Sequence, residues 1–162
     1  MENVEIEKKY LVDISTMPFK PTDYPFHVIE QAYLNTNPVV RIRKSDNHYY
    51  LTYKGSGMME RTEFNLPLNK ESYYHLLEKA DGKIISKKRY LIPYESHTIE
   101  LDIFEGDYTG LILAEVEFEN RKAADNFIPP SWFINDVTFS KEYHNSTLAL
   151  KNWSNHNTTS MI

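Results

Sequence analysis

Eight stretches of the chain alternate apolar and polar residues with a period of two, and in seven of them the polar side carries ionisable groups. Successive side chains on a strand point to opposite faces, so this period specifies strands with one apolar and one charged face. The first stretch, Val4-Glu5-Ile6-Glu7-Lys8-Lys9-Tyr10-Leu11-Val12, sets the pattern: Val4, Ile6, Tyr10 and Val12 share one side, Glu5, Glu7 and Lys9 the other. Further strands are predicted over residues 27–34, 39–43, 49–54, 61–66, 84–92, 97–104 and 111–119. Gly55-Ser56-Gly57 ends the fourth strand, and Pro93 stops the sixth.

Helical signals are fewer. Asn69 can cap a helix carrying Tyr73, Leu76, Leu77 and Ala80, with Gly82 as its stop. Short helices are expected over 121–127 and 130–133, and a last one over 141–150. The fold class is therefore α+β, dominated by antiparallel strands. At 162 residues the chain is one domain, residues 1–153, followed by a loose polar tail at 154–162. Hydrophobic residues make up 41% and charged residues 25%, which excludes disorder for the bulk of the chain.

Composition also narrows the partners. There is no cysteine, so disulfides, zinc–thiolate sites and cysteine nucleophiles are excluded. A net charge of −5 is the wrong sign for coating nucleic acid. No apolar run is long enough to span a membrane, and the opening Met1-Glu2-Asn3-Val4-Glu5 lacks the basic and apolar regions of a signal peptide. The expected setting is the cytoplasm, with neither nucleic acid nor membrane as partner.

One strand with charges at alternate positions is an ordinary solvated face. Seven such strands in one chain are not, because together they carry matched sets of opposite charge. The cations are Lys9, Arg41, Arg43, Lys54, Arg61, Lys87 and Arg89; the acids are Glu5, Glu7, Glu63, Glu100, Asp102, Glu115 and Glu117. Arginine suits multidentate recognition of phosphate or carboxylate. Two acids at i and i+2 on a strand project side by side and can ligate one hard cation such as Mg²⁺ or Mn²⁺. This spacing occurs three times: Glu5/Glu7, Glu100/Asp102 and Glu115/Glu117. Closing about eight strands into a barrel would turn every charged face inward, making a wet tunnel in which cations hold a polyanion and carboxylates hold metal. Phosphoryl transfer, where positioning and charge neutralisation dominate, is the chemistry such an interior suits.

At this point the residues resemble a known family. Glu5-Ile6-Glu7-Lys8-Lys9 matches the Glu-x-Glu-x-Lys signature of the CYTH, or triphosphate tunnel metalloenzyme, superfamily. Matching blocks follow in order: Val40-Arg41-Ile42-Arg43, Thr52-Tyr53-Lys54-Gly55, Arg61-Thr62-Glu63-Phe64, Lys87-Lys88-Arg89-Tyr90, Glu100-Leu101-Asp102, Gly110 through Glu117, and Tyr143-His144-Asn145-Ser146. The resemblance covers residues 5–150 and is greatest to small single-domain bacterial tripolyphosphatases. It implies a closed antiparallel eight-stranded β-barrel tunnel with a few flanking helices, binding triphosphate-bearing substrates with Mg²⁺ or Mn²⁺. It further implies that Glu5, Glu7, Glu115 and Glu117 bind metal, and that Lys9, Arg41, Arg43, Lys54, Arg61, Lys87 and Arg89 hold the triphosphate. Glu63, Glu100 and Asp102 would be supporting acids, and Glu5, Glu7, Lys9 and Glu117 the catalytic set. One departure stands out: where relatives often carry Arg before the tyrosine of the last helix, this chain has Glu142.

The expected function is metal-dependent hydrolysis of triphosphates, inorganic tripolyphosphate first, with nucleoside triphosphates as further candidates. The alternatives are a class IV-type adenylate cyclase and a non-catalytic polyphosphate-binding module; no purine-reading motif supports the former. Outward apolar faces could pack against helices or a second copy, making a homodimer a candidate assembly. The six histidines have no metal-ligand spacing and receive no role. Gly55-Ser56-Gly57 is a turn rather than a P-loop. Lys8, Lys44 and Lys88 are expected on the solvated side, Leu76, Leu77, Trp132 and Trp153 in packing, and one of Tyr49, Tyr50 and Tyr53 at the tunnel mouth.

Overall fold

The computed structural model describes residues 3–150. Nine strands run in chain order: β1 (Val4–Val12), β2 (Phe26–Thr36), β3 (Val39–Ser45), β4 (His48–Lys54), β5 (Glu60–Leu68), β6 (Asp81–Tyr94), β7 (His97–Glu105), β8 (Ile112–Phe118) and β9 (Phe133–Asp136). Three α-helices accompany them: α1 (Lys70–Leu77), α2 (Arg121–Asp125) and α3 (Asn145–Leu150). The sheet order is β5-β4-β3-β2-β6-β7-β8-β1-β9, and β5 also pairs with β1. That pairing closes eight strands into an antiparallel barrel, with β9 added along β1 outside it. The seam is short: Val4 opposes Thr62, Glu5 opposes Arg61, and Ile6 opposes Glu60.

The eight predicted strands are all present, each within a few residues of its expected span. The helix expected over 130–133 is not: after a turn at 131–132 the chain forms β9, because Asp136, Asn135 and Phe133 find backbone partners in Tyr10, Leu11 and Val12. Local propensity could not anticipate that distant partner. Gly82 is not a helix stop but the second residue of β6, since α1 already ends at Leu77. The last predicted helix is divided into a single 3₁₀ turn, Lys141–Tyr143, and α3. Asn69 does cap α1, its side chain accepting from the Ser72 amide at 2.7 Å. The expectations for Trp153 and for residues 154–162 lie outside the described residues.

Alternation sorts the core. Outward-facing Ile6, Tyr10, Tyr90, Ile92, Ile99, Leu101, Ala114 and Val116 pack beneath Ala124 of α2 and Trp132. Ala32 and Ile42, outward on β2 and β3, are covered by Tyr73 of α1. One end of the barrel is filled differently. The inward positions that follow Lys9, Asp102 and precede Lys87 and Glu115 are Leu11, Phe104, Ile85 and Leu113, and these pack with Tyr143, Leu148 and Ala149. The charged interior therefore ends against an apolar floor, and residues 138–150 fold back over it.

Gly82 makes that closure possible. Its φ is +69°, and a Cβ there would overlap the carbonyl oxygen of Ala149 in α3. Tyr108 fastens the same helix, its hydroxyl donating to the Leu148 carbonyl at 2.6 Å. Gly82→Ala combines a left-handed backbone with a steric collision and should lower stability by about 2–4 kcal/mol. Thermal unfolding followed by circular dichroism checks this, and an unchanged Tm would refute it.

Candidate active site

The barrel interior encloses a cavity of about 230 Å³. Of the fourteen ionisable residues singled out in the sequence, Glu5, Glu7, Lys9, Arg41, Arg43, Lys54, Arg61, Glu63, Arg89, Glu100, Glu115 and Glu117 line it. Lys87 and Asp102 do not; both side chains are completely buried in the wall behind. The register explains the gathering. Arg89 lies opposite Asp102, Lys9 opposite Glu115, Glu7 opposite Glu117, Lys54 opposite Glu63, and Glu5 opposite Arg61.

The acids fall into two groups. Oxygens of Glu5, Glu7 and Glu117 lie within 4.8 Å of one another, a donor set that can hold a divalent cation. Glu115 faces the cations instead, 3.5 Å from Lys9 Nζ and 3.3 Å from Arg89 Nη2. Crowding shows in the acidities. Burial, followed by the charges of Glu115 and Glu5, pushes Glu7 up to about 8. Burial and then the hydrogen bond and charge of Glu5 push Glu117 up to about 9. Burial would raise Glu5 as well, but Lys54, donating to Glu5 Oε1 at 2.8 Å, outweighs it and holds Glu5 down to about 2. Of the three, Glu7 and Glu117 retain protons at neutral pH while Glu5 is ionised, the behaviour of carboxylates crowded closely enough to share one cation.

This sets a pH dependence. Glu7 and Glu117 ordinarily ionise near 4.5, and in the folded protein only at about 8 and 9. Protons stabilise the metal-free fold below the ordinary value, and that contribution is lost as pH rises through 8 and 9. A divalent cation must displace the same protons, so its affinity rises over that window. Expected outcomes are a falling Tm in EDTA between pH 7 and 9 and, by calorimetry, Mn²⁺ binding that tightens over the same range. Flat behaviour in both would reject the three-carboxylate site.

The cations are held in two ways. Arg89 pairs with Asp102 through Nε at 2.8 Å and Nη2 at 2.9 Å and lies 3.4 Å from Glu100, so the carboxylates outweigh burial and keep it firmly charged. Lys54 is shared by Glu5 and Glu63. Arg41 and Arg43, by contrast, rest on neutral acceptors. Arg41 Nη2 donates to Thr52 Oγ1 at 3.1 Å, and its Nε is buried with no hydrogen-bond partner among the described residues, as is that of Arg61. Arg43 donates to the side-chain oxygen of Gln31. Its pKa is pulled down to about 9, first by burial and then by Arg41 and Arg89, which marks this wall as a region of positive potential suited to an anion.

Filtering the sequence for charge missed the neutral half of the site. Tyr33, Asn65, His144, Asn145 and Ser146 line the same cavity, with Gln31 and Thr52 behind it. Cross-strand register is the signal that finds some of them, since Gln31 lies opposite Arg43, and Tyr33 and Thr52 opposite Arg41. His144, Asn145 and Ser146 reach the cavity from the C-terminal segment, which no periodicity connects to the barrel. His144 is held neutral, its pKa lowered to about 4 by burial and then by Lys9. At one mouth Tyr50 joins His27, Ser45 and Asn65, giving the anticipated tyrosine at the rim.

A closed eight-stranded barrel with cations and clustered acids inside defines a triphosphate tunnel protein by its architecture. The CYTH domain model matches residues 3–150, and the chain belongs to that family. It is 36% identical over 153 residues to an inorganic triphosphatase of Nitrosomonas europaea, covering 90% of this chain and 97% of that protein. It is 32% identical over 157 residues to one of Acetivibrio thermocellus, covering 93% and 96%. Among solved structures, that of an inorganic triphosphatase superposes with a TM-score of 0.66 at 33% identity, covering 91% of this chain and 95% of the other.

Proposed function

We propose that the protein is a metal-dependent inorganic triphosphatase that cleaves tripolyphosphate to orthophosphate and diphosphate. The observation that carries this is the juxtaposition, inside one cavity, of the Glu5/Glu7/Glu117 cluster with Arg41 and Arg43, which are hydrogen-bonded to neutral side chains and form no ion pair among the described residues. A polyanion fits the second group and a hard cation the first. The relatives named above as inorganic triphosphatases support the substrate class.

Glu5, Glu7 and Glu117 would hold Mg²⁺ or Mn²⁺, and Glu115 would join them on releasing Lys9 or Arg89. The bound ion supplies charge neutralisation and polarisation of the terminal phosphorus. Lys9, Arg41, Arg43, Lys54, Arg61 and Arg89 take the phosphate oxygens, fixing the chain of phosphates for in-line attack. Lys87 acts from behind the wall by setting Asp102 and thereby Arg89. Glu63 and Glu100 hold Lys54 and Arg89. An ionised carboxylate of the acidic cluster takes the proton of the attacking water as its oxygen bonds to the terminal phosphorus. The bridging P–O bond then breaks, and the cations receive the negative charge of the departing diphosphate.

Tyr33, Val39 and His144 are the few aromatic and aliphatic side chains among a lining otherwise charged or polar, which favours an inorganic polyphosphate as the ligand. A cytoplasmic setting without nucleic acid or membrane as partner fits the acidic composition, and no helix among the described residues is long and apolar enough to cross a membrane. Tyr53, Phe64 and Leu66 on the outer face of β4 and β5 are exposed, and a second copy would pack there. The test of function is a product assay. Tripolyphosphate, ATP and thiamine triphosphate are each offered with Mg²⁺, Mn²⁺ or EDTA. Metal-dependent orthophosphate release, fastest from tripolyphosphate, is expected. Cyclic AMP from ATP would make the protein a cyclase, and metal-independent binding without turnover a polyphosphate-binding module.

A further inference from the structure

Gln31 is completely buried on β2 and lines no part of the cavity, yet it touches three groups that do. Its Oε1 accepts from Arg43 twice, from Nε at 2.8 Å and from Nη2 at 2.6 Å. Its Nε2 donates to the Tyr33 hydroxyl at 3.0 Å and to Asn145 Oδ1 at 3.1 Å. Asn145 Oδ1 also accepts from Lys87 Nζ at 3.1 Å. The amide orientations in this chain are forced. Arg43 and Lys87 can only donate, so each must meet an amide oxygen, which turns the Gln31 NH₂ toward Tyr33 and Asn145.

The choice of a neutral acceptor has a consequence. A carboxylate at this position would hold the guanidinium equally well but would cancel its charge, as Asp102 does for Arg89. An amide fixes the fork through one edge and leaves both the charge and the remaining N–H groups for a ligand. We propose that Gln31 is a positioning residue that aims Arg43 at the substrate's phosphate oxygens without neutralising it, and that Asn145 anchors Gln31 from the C-terminal segment. This rests on the polyphosphate reading of the cavity. Fixing a long flexible cation beforehand removes an ordering cost that would otherwise weaken binding.

Two variants test the idea, with tripolyphosphate affinity measured by calorimetry in EDTA and kcat and KM measured with Mg²⁺. Gln31→Glu keeps the shape and gains an ion pair with Arg43 but sets a carboxylate oxygen against Asn145 Oδ1, so its fold is first checked by circular dichroism. Its tripolyphosphate Kd and KM should rise at least tenfold, with kcat changed less. A purely structural role predicts the opposite pattern, a stable protein that binds normally, and that result would overturn the proposal. Gln31→Met removes the acceptor; it should weaken binding at least fivefold in the parent and less than twofold in an Arg43→Ala background, because the residue acts through that side chain. Equal losses in both backgrounds would also overturn it. If the parent binds tripolyphosphate and neither variant weakens binding, the positioning role alone fails; if the parent binds no tripolyphosphate, diphosphate or orthophosphate, the functional reading falls and this role with it.

Discussion

Glu7→Gln and Glu117→Gln, made separately, should each slow metal-dependent orthophosphate release from tripolyphosphate on the order of 10³-fold while the protein remains folded. The two carboxyls, pushed up to about 8 and about 9, carry protons at neutral pH in the metal-free protein. Glutamine reproduces that protonated state in shape and charge, so the fold loses nothing. What glutamine cannot do is give up a proton to a divalent cation. The expected rate loss corresponds to about 4 kcal/mol of transition-state stabilisation, within the range a catalytic metal supplies. Calorimetric Mn²⁺ titration beside the phosphate-release assay separates the steps. A folded variant that retains full activity would remove that residue from the site, and normal Mn²⁺ affinity with lost activity would move its role from metal binding to proton transfer.

Asp102→Ala should destabilise the protein by about 3–5 kcal/mol, lowering Tm by roughly 6–20 °C. Asp102 and Lys87 are both wholly buried and 2.6 Å apart, and the same carboxylate carries both hydrogen bonds from Arg89. Removing it leaves Lys87 buried without its ion-pair partner and strips Arg89 of its two-point carboxylate contact, leaving that guanidinium Glu100 and Glu115. Lys87 already sits down at about 7, first because of burial, with Asp102 as the main charge that opposes the shift. Burial would raise Asp102, but Arg89 and Lys87 outweigh it and keep it below its ordinary 3.8. Its contribution is therefore present above that value and is lost as pH falls through the lower folded one. Thermal melts at pH 7 and pH 3 check both statements. The gap between parent and variant should narrow in acid, and a gap that is small at pH 7 would show that the buried pair is dispensable to the fold.

Much of the barrel was legible because two independent regularities coincide in its strands. The alternation in Val4–Val12 or Val39–Ser45 marks a strand with two faces, and the accumulation of arginine, lysine and paired acids marks one of those faces as interior. Twelve of the fourteen charged residues chosen on that basis do line the cavity. Lys87 and Asp102 could not be separated from them in the sequence. They obey the same alternation, and only the packing of Phe104, Tyr143 and α3 beneath them decides that they are sealed away. β9 was illegible for a related reason, since four residues become a strand only when the edge of β1 is available to pair with them.

The sequence by itself determined the eight barrel strands, the sign and placement of the charges, and the family, because these follow from residue type and a period of two. Tertiary structure alone decided which charges are free to act. Cross-barrel contacts pair Glu115 with Lys9 and Arg89, gather Glu5, Glu7 and Glu117 together beside Lys54, and give Arg43 an amide rather than a carboxylate. They also bring Asn145 from the far end of the chain to Gln31 and Lys87. The physical reason is distance. Charge neutralisation and hydrogen bonding act over a few ångströms in space, and in a closed barrel those neighbours are set by strand register and by what folds over the open end, neither of which is local in the sequence.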